Sequence, residues 1–210
     1  MPDTMNAQIS KTSIVLTVVF VILVSSFIIS YVFLESNSDS HSSVEGYKVF
    51  TGRDDGFRIE FEYPDTWQKR PIEKYGTFIV LSFRPSDTST VSLWSDEKSN
   101  NGGNYTGVDE LVNHIIAIHS DSPDFEIVSQ TITQIGGIEA RELIISYRQY
   151  AEDDPHFPPG YIIDIPSIDR IEIVEYQDRI YKLGLMVRSE QYENLKEDFE
   201  HIINSFKFLD

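Results

Sequence analysis

The chain has 210 residues, no cysteine, and 34 acidic against 17 basic side chains, a formal charge of −17 at pH 7. That length holds one domain and an accessory segment, and 40% apolar with 12% aromatic residues suffices for a packed core, so wholesale disorder is excluded. The missing cysteine removes disulfides, thiol nucleophiles, thiolate zinc sites and lipidated-Cys anchors, and the acidity argues against a nucleic-acid partner.

From Thr12 to Leu34 no residue is charged, and 13–34 is apolar on every face. At 1.5 Å per residue such a helix spans about 33 Å, enough for a hydrocarbon core of about 30 Å. The rival reading is a cleaved signal peptide, but its apolar region is usually shorter and ends in small residues. Tyr31-Val32-Phe33-Leu34 is a poor cleavage context. A transmembrane anchor at 13–34 is therefore expected, behind a short cytoplasmic tail at 1–12. Lys11 precedes the span and the first base after it is Lys48. Positive-inside counting then puts the amino terminus in the cytoplasm and the remainder outside, as a single-pass cell-membrane protein. Asn104-Tyr105-Thr106 is a glycosylation sequon, a tripeptide that also arises by chance.

Residues 35–46 are serine-rich with no aromatic, and read as a flexible linker that includes His41. An extracytoplasmic domain follows at 47–210. The alternation Phe57-Arg58-Ile59-Glu60-Phe61-Glu62-Tyr63 has the period of a half-buried strand. Pro64 breaks it, and Trp67 is suited to plugging the end of a core. Residues 76–84 and 89–95 read as two further strands, and 96–105 as a polar loop. Thr106 is placed as a helix N-cap with Asp109 in the capping-box position. Val108, Leu111, Val112, Ile115 and Ile116 form one apolar stripe of a helix ending before Pro123.

Strands are expected at about 125–133 and 138–148, joined through Gln134-Ile135-Gly136-Gly137, and again at 170–176 and 180–188. A second helix carries Tyr192, Leu195, Phe199, Ile202 and Ile203 on one stripe, and 205–209 returns as a short strand. Three strands, a helix, four strands, a helix and a last strand, dominated by hairpins, make the class α+β. The expectation is an antiparallel sheet covered by helices and preceded by one N-terminal transmembrane helix.

The strand ending Tyr63-Pro64 and followed by Trp67, the turn Ile135-Gly136-Gly137-Ile138-Glu139-Ala140, and the close Ile202-Ile203-Asn204-Ser205-Phe206-Lys207-Phe208 carry a family likeness. Over about 47–210 the sequence resembles the PsbP domain family, relatives of the extrinsic PsbP subunit of photosystem II. The resemblance implies an α/β/α sandwich around an antiparallel sheet, used as a non-catalytic binding or assembly module outside a membrane. No functional residue transfers, because the matching positions are core and turn residues. Nothing in the sequence points to photosynthesis.

Catalytic motifs are missing: there is no G-x-S-x-G, no S-x-x-K, no phosphate-binding glycine loop and no H-E-x-x-H. No enzyme activity is expected. His114 and His119 are about 140° apart on a helix and cannot act together as ligands do. Glu110 and His114 share a face, as an acid–base pair or, more simply, a solvated one. His201 reads as a boundary residue of the last helix.

The most unusual stretch is 150–166, which places Glu152, Asp153, Asp154, His156 and Asp164 among four prolines and three aromatics. Stiff loops lose little entropy on binding, and clustered oxygens suit Ca²⁺ or another divalent cation. A rigid surface loop packed on its own sheet is the plainer reading. The expected function is a membrane-anchored extracytoplasmic module that binds a protein partner at the membrane surface and needs no cofactor. The alternative is a cation- or small-solute-binding protein using that acidic loop.

Overall fold

The computed structural model describes residues 44–53, 56–152 and 162–210. The expected tail, anchor and most of the linker lie outside the described residues. Among the described residues no helix is long and apolar enough to cross a membrane.

The elements are β1 (Tyr47–Thr51), β2 (Ile59–Pro64), β3 (Gln68–Lys69), β4 (Glu73–Tyr75), β5 (Phe78–Ser86), β6 (Ser89–Glu97), α1 (Val108–His119), β7 (Glu126–Ile135), β8 (Ile138–Glu152), β9 (Ile162–Tyr176), β10 (Arg179–Arg188), α2 (Tyr192–Ser205) and β11 (Lys207–Phe208). The fold is α+β with antiparallel pairing throughout these strands. The large sheet runs β3-β5-β6-β10-β9-β8-β7, with β4 also on β5, and a small sheet runs β1-β2-β11.

The expected single sheet is thus two. β2 pairs with β1 and with β11 from the chain's end instead of joining the hairpins that follow it. Its buried Ile59, Phe61 and Tyr63 face the large sheet, while Glu62 meets α2 through its backbone N–H to Ser205 Oγ at 3.0 Å and its carboxylate to His201 at 2.8 Å. His201 also stacks on Tyr47, with ring centroids 3.9 Å apart.

Each face of the large sheet is apolar, which is why it needs two covers. On the inner face Leu81, Phe83, Val91, Leu93, Leu183, Leu185 and Val187 pack against the small sheet and α2, whose Phe199, Ile202 and Ile203 are buried. On the outer face Trp94, Leu143, Ile145, Ile171, Ile173 and Ile180 pack against Leu111, Val112 and Ile115 of α1. Trp67 closes the inner core at 6% exposure.

Two-residue turns set the long hairpins. Ile135 pairs with Ile138 across Gly136-Gly137, whose φ of 56° and 80° suit a type I′ connection that glycine enters without strain. Tyr176 pairs with Arg179 across Gln177-Asp178.

Other expectations change. Residues 150–152 and 162–166, read as loop, continue the β8–β9 hairpin, which pairs as far as Glu152↔Ile162; 153–161 lie outside the described residues. Pro166 is tolerated in β9 because β10 pairing stops at Ser167↔Arg188, leaving no partner there for its missing N–H. The capping box is also different. Gly107 is the α1 N-cap and has no side chain to offer. Glu110 instead accepts from the Thr106 N–H at 2.8 Å and hydroxyl at 2.6 Å, while Asp109 turns to Arg141 at 3.6 Å.

Candidate binding face

Helix α1 lies over β8 and β9. Beyond Trp94 and Lys182 the outer face continues across β5, β6 and β10, where Ser82 and Thr90 are partly exposed and Met186 is 42% exposed. Two open hollows occupy this region. One, of about 310 Å³, is lined by Arg84, Thr90, Gln149, Ser167, Met186 and Arg188 among others. The second, of about 420 Å³, is lined by Arg70, Ser82, Arg84 and Thr90 among others. Arg84 and Thr90 belong to both, so the hollows are joined. One carboxylate lines each, Asp87 in the first and Glu73 in the second.

Local sequence explains how Arg84 comes to stand there. Pro85 cannot donate to the β5–β6 ladder, and the register shifts between Phe83 and Ser86. Such a bulge bends the strand and re-aims the neighbouring side chain. The following turn is tied down: Ser86 Oγ donates to Ser89 Oγ at 3.0 Å. The Thr88 and Ser89 hydroxyls both donate to Gln191 Oε1, at 2.9 and 2.8 Å.

Just inside the wall sits a buried polar group. Asp169, 3% exposed, pairs across the strand with Met186 and lies two residues from Ser167 on the same face. Tyr147 donates its hydroxyl to Asp169 Oδ2 at 3.2 Å, and Oδ1 has no partner among the described residues. Burial pushes the Asp169 carboxyl up to about 7, against the Tyr147 hydrogen bond and the attraction of Lys182. Burial likewise pushes Lys182 down, opposed by Asp169, and its ammonium lies 5.9 Å from the Trp94 ring centroid. Tyr147 is pushed up to about 12, by burial first and then by Asp169. His119, its ring 4.6 Å from that of Tyr147, is lowered by burial and by Lys182.

On the inner face Arg170 gathers three carboxylates: Glu142 at 2.8 Å, Glu200 at 3.0 Å and Glu172 at 3.6 Å. Its guanidinium also lies 5.6 Å from the Phe199 ring centroid. Glu172, accepting from Thr133 at 2.8 Å, is raised by burial and further by Glu142. This cluster ties α2 to β8 and β9 and opens onto none of the hollows above.

Of the loop residues expected to bind a cation, Asp153, Asp154 and His156 lie outside the described residues. Glu152 ends β8, and Asp164 accepts from Arg148 at 2.9 Å, the same arginine that donates to Asp124 at 3.0 Å. Among the described residues no three His, Asp or Glu side chains gather as a metal site. Sequence reasoning passed over Arg70, Arg84, Arg188, Lys182 and Asp169. The available signal was Lys182, Met186 and Arg188 alternating with the apolar run Tyr181 to Val187, on a strand whose second face was not assigned.

The family model described as PsbP-like protein matches residues 12–208. The chain belongs to the PsbP-like family. The solution structure of cyanobacterial PsbP from Synechocystis sp. PCC 6803 has the same fold, with a TM-score of 0.51 and 11% identity over 82% of this chain and 98% of that one. LpqN of Mycobacterium tuberculosis, described as involved in cell envelope biogenesis, gives 0.48 at 13% identity over 72% of this PsbP-like chain and 83% of its own. The Saccharomyces cerevisiae Ran-binding protein Mog1p gives 0.48 at 11% identity over 78% and 96%. No curated protein matches the sequence.

Proposed function

We propose that this chain is a membrane-anchored extracytoplasmic PsbP-like module that binds or assembles a protein partner at the membrane surface and does no chemistry of its own. The observation that carries the binding role is the open half of the outer sheet face, where two joined hollows are lined by Arg70, Arg84 and Arg188 together with Ser82, Thr90 and Ser167. Arg70, Arg84 and Arg188 on this face make no ion pair among the described residues, so their charges remain available to an anionic group of a partner. The anchored placement is supported by the charge-free run 13–34, long enough for a bilayer, and by the position of Lys11 before it.

The test is photo-crosslinking in intact membranes from a reactive residue at Thr90, within the hollows, and from one at the exposed Glu193 of α2 as a control. A neighbour captured reproducibly from Thr90 and not from Glu193 supports the reading. A chain recovered without a neighbour from both positions overturns it. The hollows also favour a second reading, in which the face holds a small solute, since their volumes fall in the range of small-molecule sites.

A further inference from the structure

We infer that the joined hollows centred on Arg84 bind a small, multiply charged oxyanion, a polycarboxylate or polyphosphate group. This rests on reading the open face as a binding surface, and names what that surface takes. The chain carries twice as many acids as bases, so an arginine on its surface has carboxylates in easy reach. Four of the other six use them: Arg141 pairs with Glu139, Arg148 with Asp124 and Asp164, Arg170 with three glutamates and Arg179 with Glu97, while Arg58 donates to Gln177 and Arg53 makes no ion pair among the described residues. Arg70, Arg84 and Arg188 make no ion pair and no side-chain hydrogen bond among the described residues. All three line the same joined hollows, Arg70 in one, Arg188 in the other and Arg84 in both.

Their surroundings suit an oxyanion. A guanidinium presents a planar fork that matches two oxygens at once, and three such forks suit a ligand with several anionic oxygens. Ser82 and Thr90, whose hydroxyls likewise have no partners among the described residues, line the same hollow as Arg70 and Arg84. The frame is set beforehand, because the bulge after Phe83 and the Gln191 clamp on Thr88 and Ser89 hold the β5–β6 turn that carries Arg84. Preorganised donors lose less entropy on binding. Three cations against the carboxylates of Asp87 and Glu73 leave the hollows net positive, in a chain whose overall field repels anions. A ligand carrying several anionic oxygens close together can engage more than one of these guanidinium groups at once, which a monoanion cannot.

The test is calorimetric titration of the full-length chain, solubilised in non-ionic detergent at constant ionic strength, with pyrophosphate, citrate, inorganic phosphate and acetate. Saturable sub-millimolar binding of pyrophosphate or citrate is expected, with acetate silent. Which of the two binds distinguishes a phosphate from a carboxylate ligand, and binding of both marks charge number as the criterion. Arg84→Gln should weaken binding by about tenfold or more, and Arg84→Lys by less, because it keeps the charge and loses the fork. Lys48→Gln, on the far strand β1, should change nothing. Far-UV circular dichroism of each variant checks that the exposed substitution leaves the fold intact. Absence of saturation up to about 10 mM, or equal binding by the wild type and Arg84→Gln, overturns the proposal. If titration fails while the Thr90 cross-link persists, the oxyanion is wrong and the binding face stands; if both fail, the face falls as well.

Discussion

Replacing Asp169 by asparagine should remove the pH dependence that this one carboxyl imposes on stability. Its ordinary value is 3.8, and burial in the fold pushes it up to about 7. Below pH 3.8 the group is protonated whether the chain is folded or not, and its contribution is at its most favourable. Between 3.8 and 7 the unfolded chain releases a proton that the folded chain keeps, so stability falls as pH rises. Above 7 the folded chain releases it too, and the loss stays constant. Integrated from pH 5 to pH 8, the loss is on the order of 2–3 kcal/mol.

Asparagine resembles the protonated acid: it accepts from the Tyr147 hydroxyl and offers an N–H on the side where Oδ1 has no partner. Urea denaturation of Ser43–Asp210, a compact unit by itself, followed by tryptophan fluorescence at both pH values, measures the difference. Wild type and Asp169→Asn should lie within about 1 kcal/mol of each other at pH 5, and the variant should be the more stable by about 2 kcal/mol at pH 8. Glu172, also raised by burial, titrates in both proteins and cancels in the comparison. A variant that loses more stability at pH 8 than at pH 5 would show that Lys182 holds Asp169 ionised in the folded chain, and would refute the reasoning.

Arg170→Met should cost about 3–5 kcal/mol, because it leaves Glu142, Glu172 and Glu200 without their shared cation, and the cost should shrink at pH 5 as carboxylates take up protons; urea midpoints at the two pH values check both statements. Phe61→Ala should cost about 3–5 kcal/mol in the same assay, since the ring is fully buried, stacked on Phe206 at 5.7 Å and packed against Phe50 and Phe83. The cysteine-free chain permits single-site labelling. Ser120→Cys, exposed after α1, should react with an impermeant maleimide on intact cells, and Ser10→Cys only after lysis.

The stripe of α1, the stripe of α2 and the Gly136-Gly137 turn are local patterns that appear in their expected places, while the alternation from Phe57 becomes β2 shifted to Ile59–Pro64, because Arg58 turns with φ of 53° and Pro64 still pairs with Tyr47. β1, β3 and β4 were not legible, because five or fewer residues with few buried side chains carry no periodicity to read. The length of the β8–β9 hairpin was hidden by Pro166, whose tolerance depends on where β10 stops. The acidic stretch 150–166 is a dense run of charged, proline and aromatic residues, yet Asp164, the candidate ligand whose side chain is described, is held by Arg148.

Composition and periodicity by themselves determined the class of the domain, its two helices and its hairpins, because burial on one side of a strand or helix imprints a local repeat. The partition into two sheets, the covering of only part of the outer face by α1, and the meeting of Arg70, Arg84 and Arg188 were decided by tertiary structure. Arg70 reaches Arg84 because β3 pairs with β5, and Arg188 joins them only because β10 pairs with β6. Strand order is a property of the assembled sheet, and no stretch of sequence contains it.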